Sequence, residues 1–379
     1  MSVSTSTSAT YELLVSLLAK CPKTIEILPG DGALWTHSGD SSDEATFAPF
    51  LFLDNNLGIP QKVLYQAYIH AVGVFKLVRK SPTRASEEIQ GNDNSPAVQI
   101  LIDSSSILIL ANPSHQTALN ARKLLVKKQL IDPRTELCFI ASLLSSQHCA
   151  KHAELWYHRR WLLSSAYETH GTQSPTCLPA GAGASHRDLM FASQTNLQQE
   201  LGLLSRACEV YPRNYFAWTH RLICMRSLLS DHLANPSKNS NFVVILRREI
   251  DGIKQWIEHH VSDYSAVHYI LTLSRDVLQC KTLVLEETID EEDMLAHAIA
   301  LVCEYPGHEA LWLYARIATL IFDAREKQQI EQFVESFVRP LASQNSITGA
   351  WDDVANQLGS SEYARLYLSK RAKVDSSRE

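Results

Sequence analysis

Lys151-His152-Ala153-Glu154-Leu155-Trp156-Tyr157-His158-Arg159-Arg160-Trp161 and Pro212-Arg213-Asn214-Tyr215-Phe216-Ala217-Trp218-Thr219-His220-Arg221 are two versions of one phrase. In each, a basic residue stands five positions before a Trp, a His two after it and an Arg three after it. A unit recurring at this distance is the mark of stacked helical hairpins, since a single hairpin cannot bury its apolar face alone. Three more segments follow the same template of a turn, then an anchor, then mostly basic residues. Leu119 is the anchor after Asn112-Pro113-Ser114-His115, His268 after Asp263-Tyr264-Ser265, and Trp312 after Tyr305-Pro306-Gly307-His308. The five anchors are 37, 62, 50 and 44 residues apart.

A helical hairpin repeat takes about 34 to 47 residues. The two long spacings have visible causes. Gly171 to Ser185 is rich in Gly, Pro and Ser and reads as an inserted loop, as does Asn235 to Asn241. Elsewhere apolar residues recur at three- and four-residue steps, as in Glu136 to Gln147, Leu189 to Tyr211, Val243 to His260 and Ala266 to Leu278. Strand signals are poor, so the chain reads as all-α. The expected organisation is a disordered start (1–10), a helical region (11–110) with flexible loops at 29–42 and 81–95, and five degenerate repeats (111–325). C-terminal helices (326–371) and a polar tail (372–379) complete it.

Bulk properties narrow the function classes. The 379 residues are 45% apolar and can bury a large core. A net charge of −6 argues against a general nucleic-acid binder, which carries a basic stripe. The eight cysteines include no C-x-x-C pair, which removes zinc-ribbon and thioredoxin-like chemistry and suits reduced thiols. No window reaches the roughly 18 apolar residues of a membrane span, and no signal peptide opens the chain. A soluble cytoplasmic protein is expected. The last residues, Asp375 to Glu379, carry no prenylation box. His148, His152 and His158, and likewise Glu258-His259-His260, lack metal-ligand spacing, so no metal or other cofactor is expected on this chain.

Trp156, Trp218 and Trp312 fit the grooves between adjacent hairpins, where such rings bury 150–250 Å². Arg159, Arg160, Arg221 and Arg316, three or four residues on, can share the anchor's face and reach a neighbouring carboxylate or carbonyl. His158 and His220, two residues on, project to another face, open to solvent or a partner. The turn Arg213-Asn214-Tyr215 is different in kind. It precedes a helix whose unpaired N–H groups and positive dipole end favour anions, and a cation and a phenol there can contact a phosphate.

Together these repeats resemble the α-subunits of protein prenyltransferases, over roughly Pro113 to Phe322. That resemblance rests on the Pro/basic-Asn-Tyr turn followed by Trp-x-x-Arg-Arg or Trp-x-His-Arg. It implies a right-handed superhelical crescent of helical hairpins paired with a prenyltransferase β-subunit in a heterodimer, inactive alone. The β-subunit holds the catalytic zinc and the isoprenoid pocket. Arg213 and Tyr215 occupy the positions whose family counterparts approach the diphosphate, with Arg213 standing where farnesyl-type subunits have Lys. The chain departs from the pattern at Leu119, His268 and Ala315. The reading that follows is an α-like subunit pairing with a Rab-type geranylgeranyltransferase β-subunit. Such a pair moves geranylgeranyl from geranylgeranyl diphosphate to a C-terminal cysteine, including that of an already farnesylated SNARE. The alternative is a non-catalytic repeat scaffold for another protein.

Overall fold

A computed structural model describes residues 2–33, 47–80, 96–167, 194–234, 241–280 and 291–321. Among them are thirteen helices and one small sheet. The chain opens with α1 (Ser2–Ala19), β1 (Thr24–Leu28), β2 (Leu51–Leu53), β3 (Asn56–Pro60) and α2 (Gln61–Lys80). Five hairpins follow. They are α3 (Pro96–Ala111) with α4 (Gln116–Lys127), α5 (Pro133–Leu144) with α7 (Ala153–Tyr167), and α8 (Gln194–Val210) with α9 (Tyr215–Ala234). The last two are α10 (Phe242–His259) with α11 (Tyr264–Gln279), and α12 (Glu291–Glu304) with α13 (Glu309–Ile321). A single turn, α6 (Gln147–Ala150), lies between α5 and α7. The all-α hairpin reading holds. The chain forms two compact units that divide within α9, one running to Arg221 and the other from Leu222.

The helices start where the sequence provides caps. Asp132 accepts from the Thr135 amide at 3.0 Å, with Pro133 in the first turn where its missing N–H costs nothing. Asp263 accepts from the Ser265 and Ala266 amides at 3.0 and 3.1 Å. His115 plays the same part for α4 through Nδ1, 3.1 Å from the Ala118 amide.

Three expectations need correction. In place of the disorder expected at residues 1–10, α1 runs from Ser2, carrying Leu14, Leu17 and Leu18 into the core. The repeats begin earlier than residue 111, since α3 from Pro96 is the first arm of the first hairpin. The third correction is the sheet, in the order β1-β3-β2, with β1 parallel and β2 antiparallel to β3. Asp54 and Asn55, at φ 50° and 65°, make the tight β2–β3 turn that positive φ at both central residues permits. Gly58 is needed because a Cβ there would lie 2.9 Å from Leu28 Cδ1 and 3.2 Å from Leu51 Cβ. The sheet is joined to the second hairpin by the Ile25 amide, which donates to Ser145 Oγ at 2.9 Å.

Several expected features lie outside the described residues: the greater part of the 29–42 loop, all of 81–95, the insertion at 171–185, most of 235–241, the helices of 326–371 and the tail. Glu291 to Asp293 open α12.

Candidate functional site

The turn before α9 is built around Asn214, which is fully buried. Its Oδ1 accepts from the Ala217 amide at 3.2 Å, capping the helix. Its Nδ2 donates to the Ala150 carbonyl at 3.1 Å and the Ala207 carbonyl at 3.4 Å, tying the turn to the preceding hairpin and to α8. The same Ala150 carbonyl accepts from Trp156 Nε1 at 2.8 Å, so one oxygen gathers the second and third hairpins. With Asn214 turned inward, its neighbours face out. Arg213 is exposed, in the left-handed region at φ 59°, and Tyr215 is 61% exposed, its ring against Phe216. A guanidinium and a phenol thus flank the N-terminus of a 20-residue helix, an arrangement suited to an anion.

The Arg and His that follow each anchor have a different destiny. Arg159 donates through Nε and Nη2 to the two oxygens of Glu200, at 2.7 and 2.5 Å, while His220 Nε2 lies 2.8 Å from the same carboxylate. One hairpin earlier, Arg122 forks onto Glu136 and His158 Nε2 lies 3.1 Å from it. In each case the Arg of one hairpin and the His of the next meet on a Glu of the next hairpin's first helix. His158 and His220 are fully buried, so the face expected to meet solvent or a partner meets Glu136 and Glu200 instead.

Burial alone would raise the pKa of Glu136, but the Arg122 guanidinium and the His158 hydrogen bond hold it at about 2. Glu200 is likewise lowered, by Arg159 and His220 against the same burial. Burial also pushes both histidines below their ordinary value, more than their carboxylate partners raise them. A neutral imidazole therefore donates from Nε2 to an ionised carboxylate. This leaves Nδ1 of each histidine without a partner among the described residues. Buried between the helices, these triads serve packing and register.

Arg221 makes a shorter version, donating from Nη1 to the Leu201 carbonyl and Ser205 Oγ at 3.3 and 3.0 Å. Arg122 makes the same bonds at the same sequence offsets, to Ile102 and Ser106. Arg160 lies over the Tyr157 ring at 4.4 Å, and Arg316 is half-buried on α13. Trp156, Trp218 and Trp312 are all buried, and Trp312 Nε1 donates to the Pro306 carbonyl as Trp156 does to Ala150.

The fourth repeat sits one residue earlier than its aromatic residues suggest. Counted from the cap, the anchor position four residues on falls at Leu119, Trp156, Trp218, Val267 and Trp312, all buried. His268, the expected anchor, is exposed. The position of His158 and His220 is then taken by Tyr269 and Tyr314, and that of Arg122, Arg159 and Arg221 by Ile270 and Ala315. Tyr269 OH donates to Glu249 Oε1 on α10, the counterpart of Glu200. Sequence reasoning missed the three glutamates and the role of Asn214. Their signal was available: Glu136, Glu200 and Glu249 each interrupt the apolar face of a hairpin's first helix, 14 to 16 residues before the cap.

Residues 197–228 match the family described as "Protein prenyltransferase alpha subunit repeat". That stretch resembles one prenyltransferase α-subunit repeat. The match spans the third hairpin and takes in Glu200, Asn214, Trp218, His220 and Arg221. Proteins named protein prenyltransferase alpha subunit repeat-containing protein 1 are similar over a longer stretch. The one from Danio rerio is 29% identical over 248 residues, 58% of this chain and 54% of that protein. The one from Homo sapiens is 27% identical over 306 residues, 71% and 68%. The form 1-B from Xenopus laevis is 28% identical over 249 residues, 57% and 54%. The matched stretch is thus about half the length of the zebrafish and frog relatives. The resemblance to prenyltransferase α-subunits therefore holds at modest identity. Among the described residues, no helix is long and apolar enough to cross a membrane.

Proposed function

We propose that this chain is the α-like subunit of a heterodimeric protein prenyltransferase, working in the cytoplasm with a Rab-type geranylgeranyltransferase β-subunit. In this reading geranylgeranyl passes from its diphosphate to a C-terminal cysteine of a protein, with an already farnesylated SNARE as a fitting substrate. Zinc held by the β-subunit would activate the substrate's own cysteine as a thiolate, and this chain is inactive alone. The observation that carries the reading is the turn at Asn214, whose buried amide holds Arg213 and Tyr215 outward together at a helix N-terminus. Negative charge builds on the departing diphosphate, and a guanidinium and a phenolic O–H aimed at that charge lower the barrier. Arg213 offers paired N–H donors to phosphate oxygens, and Tyr215 offers one hydrogen bond.

Co-expression with a Rab-type β-subunit tests the proposal. The two chains are expected to co-purify and to transfer geranylgeranyl to a cysteine-ended protein. In that complex Arg213→Ala is expected to lower turnover by roughly tenfold to a hundredfold while assembly persists. Failure to co-purify sinks the pairing, and an unchanged rate in an intact complex removes Arg213 from the chemistry. Ile270 and Ala315, where the earlier hairpins carry Arg, favour the second reading, a scaffold that kept the architecture without catalysis. Co-purification without transfer to any such substrate would leave that reading in place.

A further inference from the structure

The first compact unit brings together two thiols that lie far apart in the chain, Cys21 and Cys138. Cys21 closes the end of α1 in the left-handed region, φ 50°, its amide donating to the Leu18 carbonyl at 3.0 Å. Its own carbonyl accepts from Asn55 Nδ2 at 3.4 Å, and the Lys23 amide donates to the Asn55 carbonyl at 2.7 Å. The β2–β3 turn thus holds the link between α1 and β1. β1 packs on α5, where the Ile25 amide donates to Ser145 Oγ at 2.9 Å. Cys138 precedes Ser145 by seven residues, so it lies on the same face of α5, two turns and about 10 Å away. Cys21 precedes Ile25 by four residues, a stretch that spans at most about 14 Å. Both paths from the Ile25–Ser145 bond have the same reach, and they end together. The Cys21 thiol lies within side-chain hydrogen-bonding range of Cys138. Both are free thiols, Cys138 exposed and Cys21 half-buried, whereas Cys149, Cys208 and Cys224 are buried. Burial and the Cys138 contact push the Cys21 thiol up to about 12, so Cys21 keeps its proton and offers it to the Cys138 sulfur.

We propose that Cys21 and Cys138 are a modification site, closing to a reversible disulfide by exchange with a small disulfide of the glutathione class. Cys138, the exposed partner, attacks one sulfur of oxidised glutathione as the thiolate. The S–S bond of the reagent breaks, one glutathione thiolate leaves, and Cys138 carries the other half as a mixed disulfide. Cys21 then gives up its proton and attacks the Cys138 sulfur, and the second glutathione leaves. Two protein thiols are oxidised by two electrons, and one glutathione disulfide is reduced to two thiols. The protons of the two cysteines end on the two glutathione sulfurs. The new bond joins α1 and the sheet to the second hairpin, two residues after Glu136 of the buried triad. It closes a long loop, which restricts the unfolded chain more than the folded one. Neither cysteine belongs to the Arg213 turn, so the site is independent of the proposed transferase role.

Incubation of the folded full chain with oxidised glutathione, followed by peptide mapping without reductant, tests the proposal. A Cys21–Cys138 cross-linked peptide is expected, lighter by two hydrogens than its two thiol peptides together and with no glutathione retained at either residue. Dithiothreitol should return both thiols. Cys21→Ser should stop the exchange half-way, leaving one glutathione on Cys138, whereas Cys208→Ser should leave the cross-link intact. The oxidised wild type is expected to unfold at a higher urea concentration than the reduced protein, a shift that Cys21→Ser treated in the same way should lack. The map of the wild-type chain decides the matter even where a variant folds poorly. The proposal is overturned by a map in which Cys21 and Cys138 stay as thiols, or in which glutathione stays on Cys138 of the wild type. It is equally overturned by a cross-link of either residue to another cysteine, or by a Cys21–Cys138 bond that forms only in the urea-unfolded chain.

Discussion

The hairpin junctions up to Arg221 and those after Leu222 solve the same packing problem with different chemistry. In the first unit the buried carboxylates of Glu136 and Glu200 each hold an Arg from one hairpin and a His from the next. In the second, Tyr269 donates to Glu249, and Met294 stands where the earlier hairpins have Glu, 14 residues before the cap, with Ser274 Oγ 3.7 Å from its sulfur. Charge pairs persist there nearer the surface, in Arg226–Asp276 and Lys254–Asp293, beside a His297–Glu258 hydrogen bond. What both kinds of junction share is filled volume and satisfied donors. An ion triad is therefore one way to join hairpins, and it makes the joint sensitive to the loss of any member.

Glu136→Gln should expose that sensitivity most. It leaves Arg122 buried beside a neutral amide, and breaking a buried pair from one side costs about 3–5 kcal/mol. The fall in unfolding free energy is read from urea denaturation of the full chain. A loss below about 1 kcal/mol would mean that the triad contributes no more than a neutral hydrogen bond.

Acidification separates the junctions next. The folded pKa values of His158 and His220 lie below their unfolded values, so the unfolded chain takes up their protons more readily. Their contribution is present above about pH 6.5 and fades as pH falls below it, by at most about 1.4 kcal/mol per pH unit for each histidine. Glu136 adds to this from about pH 4.5 downward, until its own folded value of about 2 is passed. Replacing His220 with Gln should therefore flatten the decline between pH 7 and 5, followed as the unfolding midpoint against pH. A variant with the wild-type slope would remove His220 from the acid response.

The sequence made some of this legible and concealed the rest for physical reasons. The Trp anchors were readable because a large ring at a fixed distance after a turn has few roles other than filling the groove between hairpins. The histidines misled because their rings lie off the Trp face, which suggested solvent. A helix inside a stack buries a second face as well, and there His158 and His220 meet the glutamates. The sheet was hidden by its brevity, since β2 has three residues and leaves no period to detect. Arg213 and Tyr215 were legible as a turn pair. The buried amide of Asn214 that orients them was not, because its partners Ala150 and Ala207 are backbone carbonyls with no sequence signature.

Tyr269→Phe probes the tyrosine junction. It removes one buried hydrogen bond to Glu249, a loss of about 1 kcal/mol. A cost equal to that of Glu136→Gln would erase the distinction between the two kinds of joint.

The smallest effect belongs to His268, and it decides the register of the fourth repeat. Alignment by aromatic character sets His268 against the Trp anchors, whereas the cap at Asp263 sets Val267 there, 1% exposed, and leaves His268 at the surface. A surface substitution away from special interactions changes stability by no more than about 0.5 kcal/mol, so His268→Ala should leave the unfolding midpoint almost where it is. Val267→Ala, by contrast, deletes two buried methyl groups and should cost about 1–2 kcal/mol. If the order is reversed, with the histidine costing more than the valine, the cap does not set the register, and the Tyr269–Glu249 joint loses its place in the repeat.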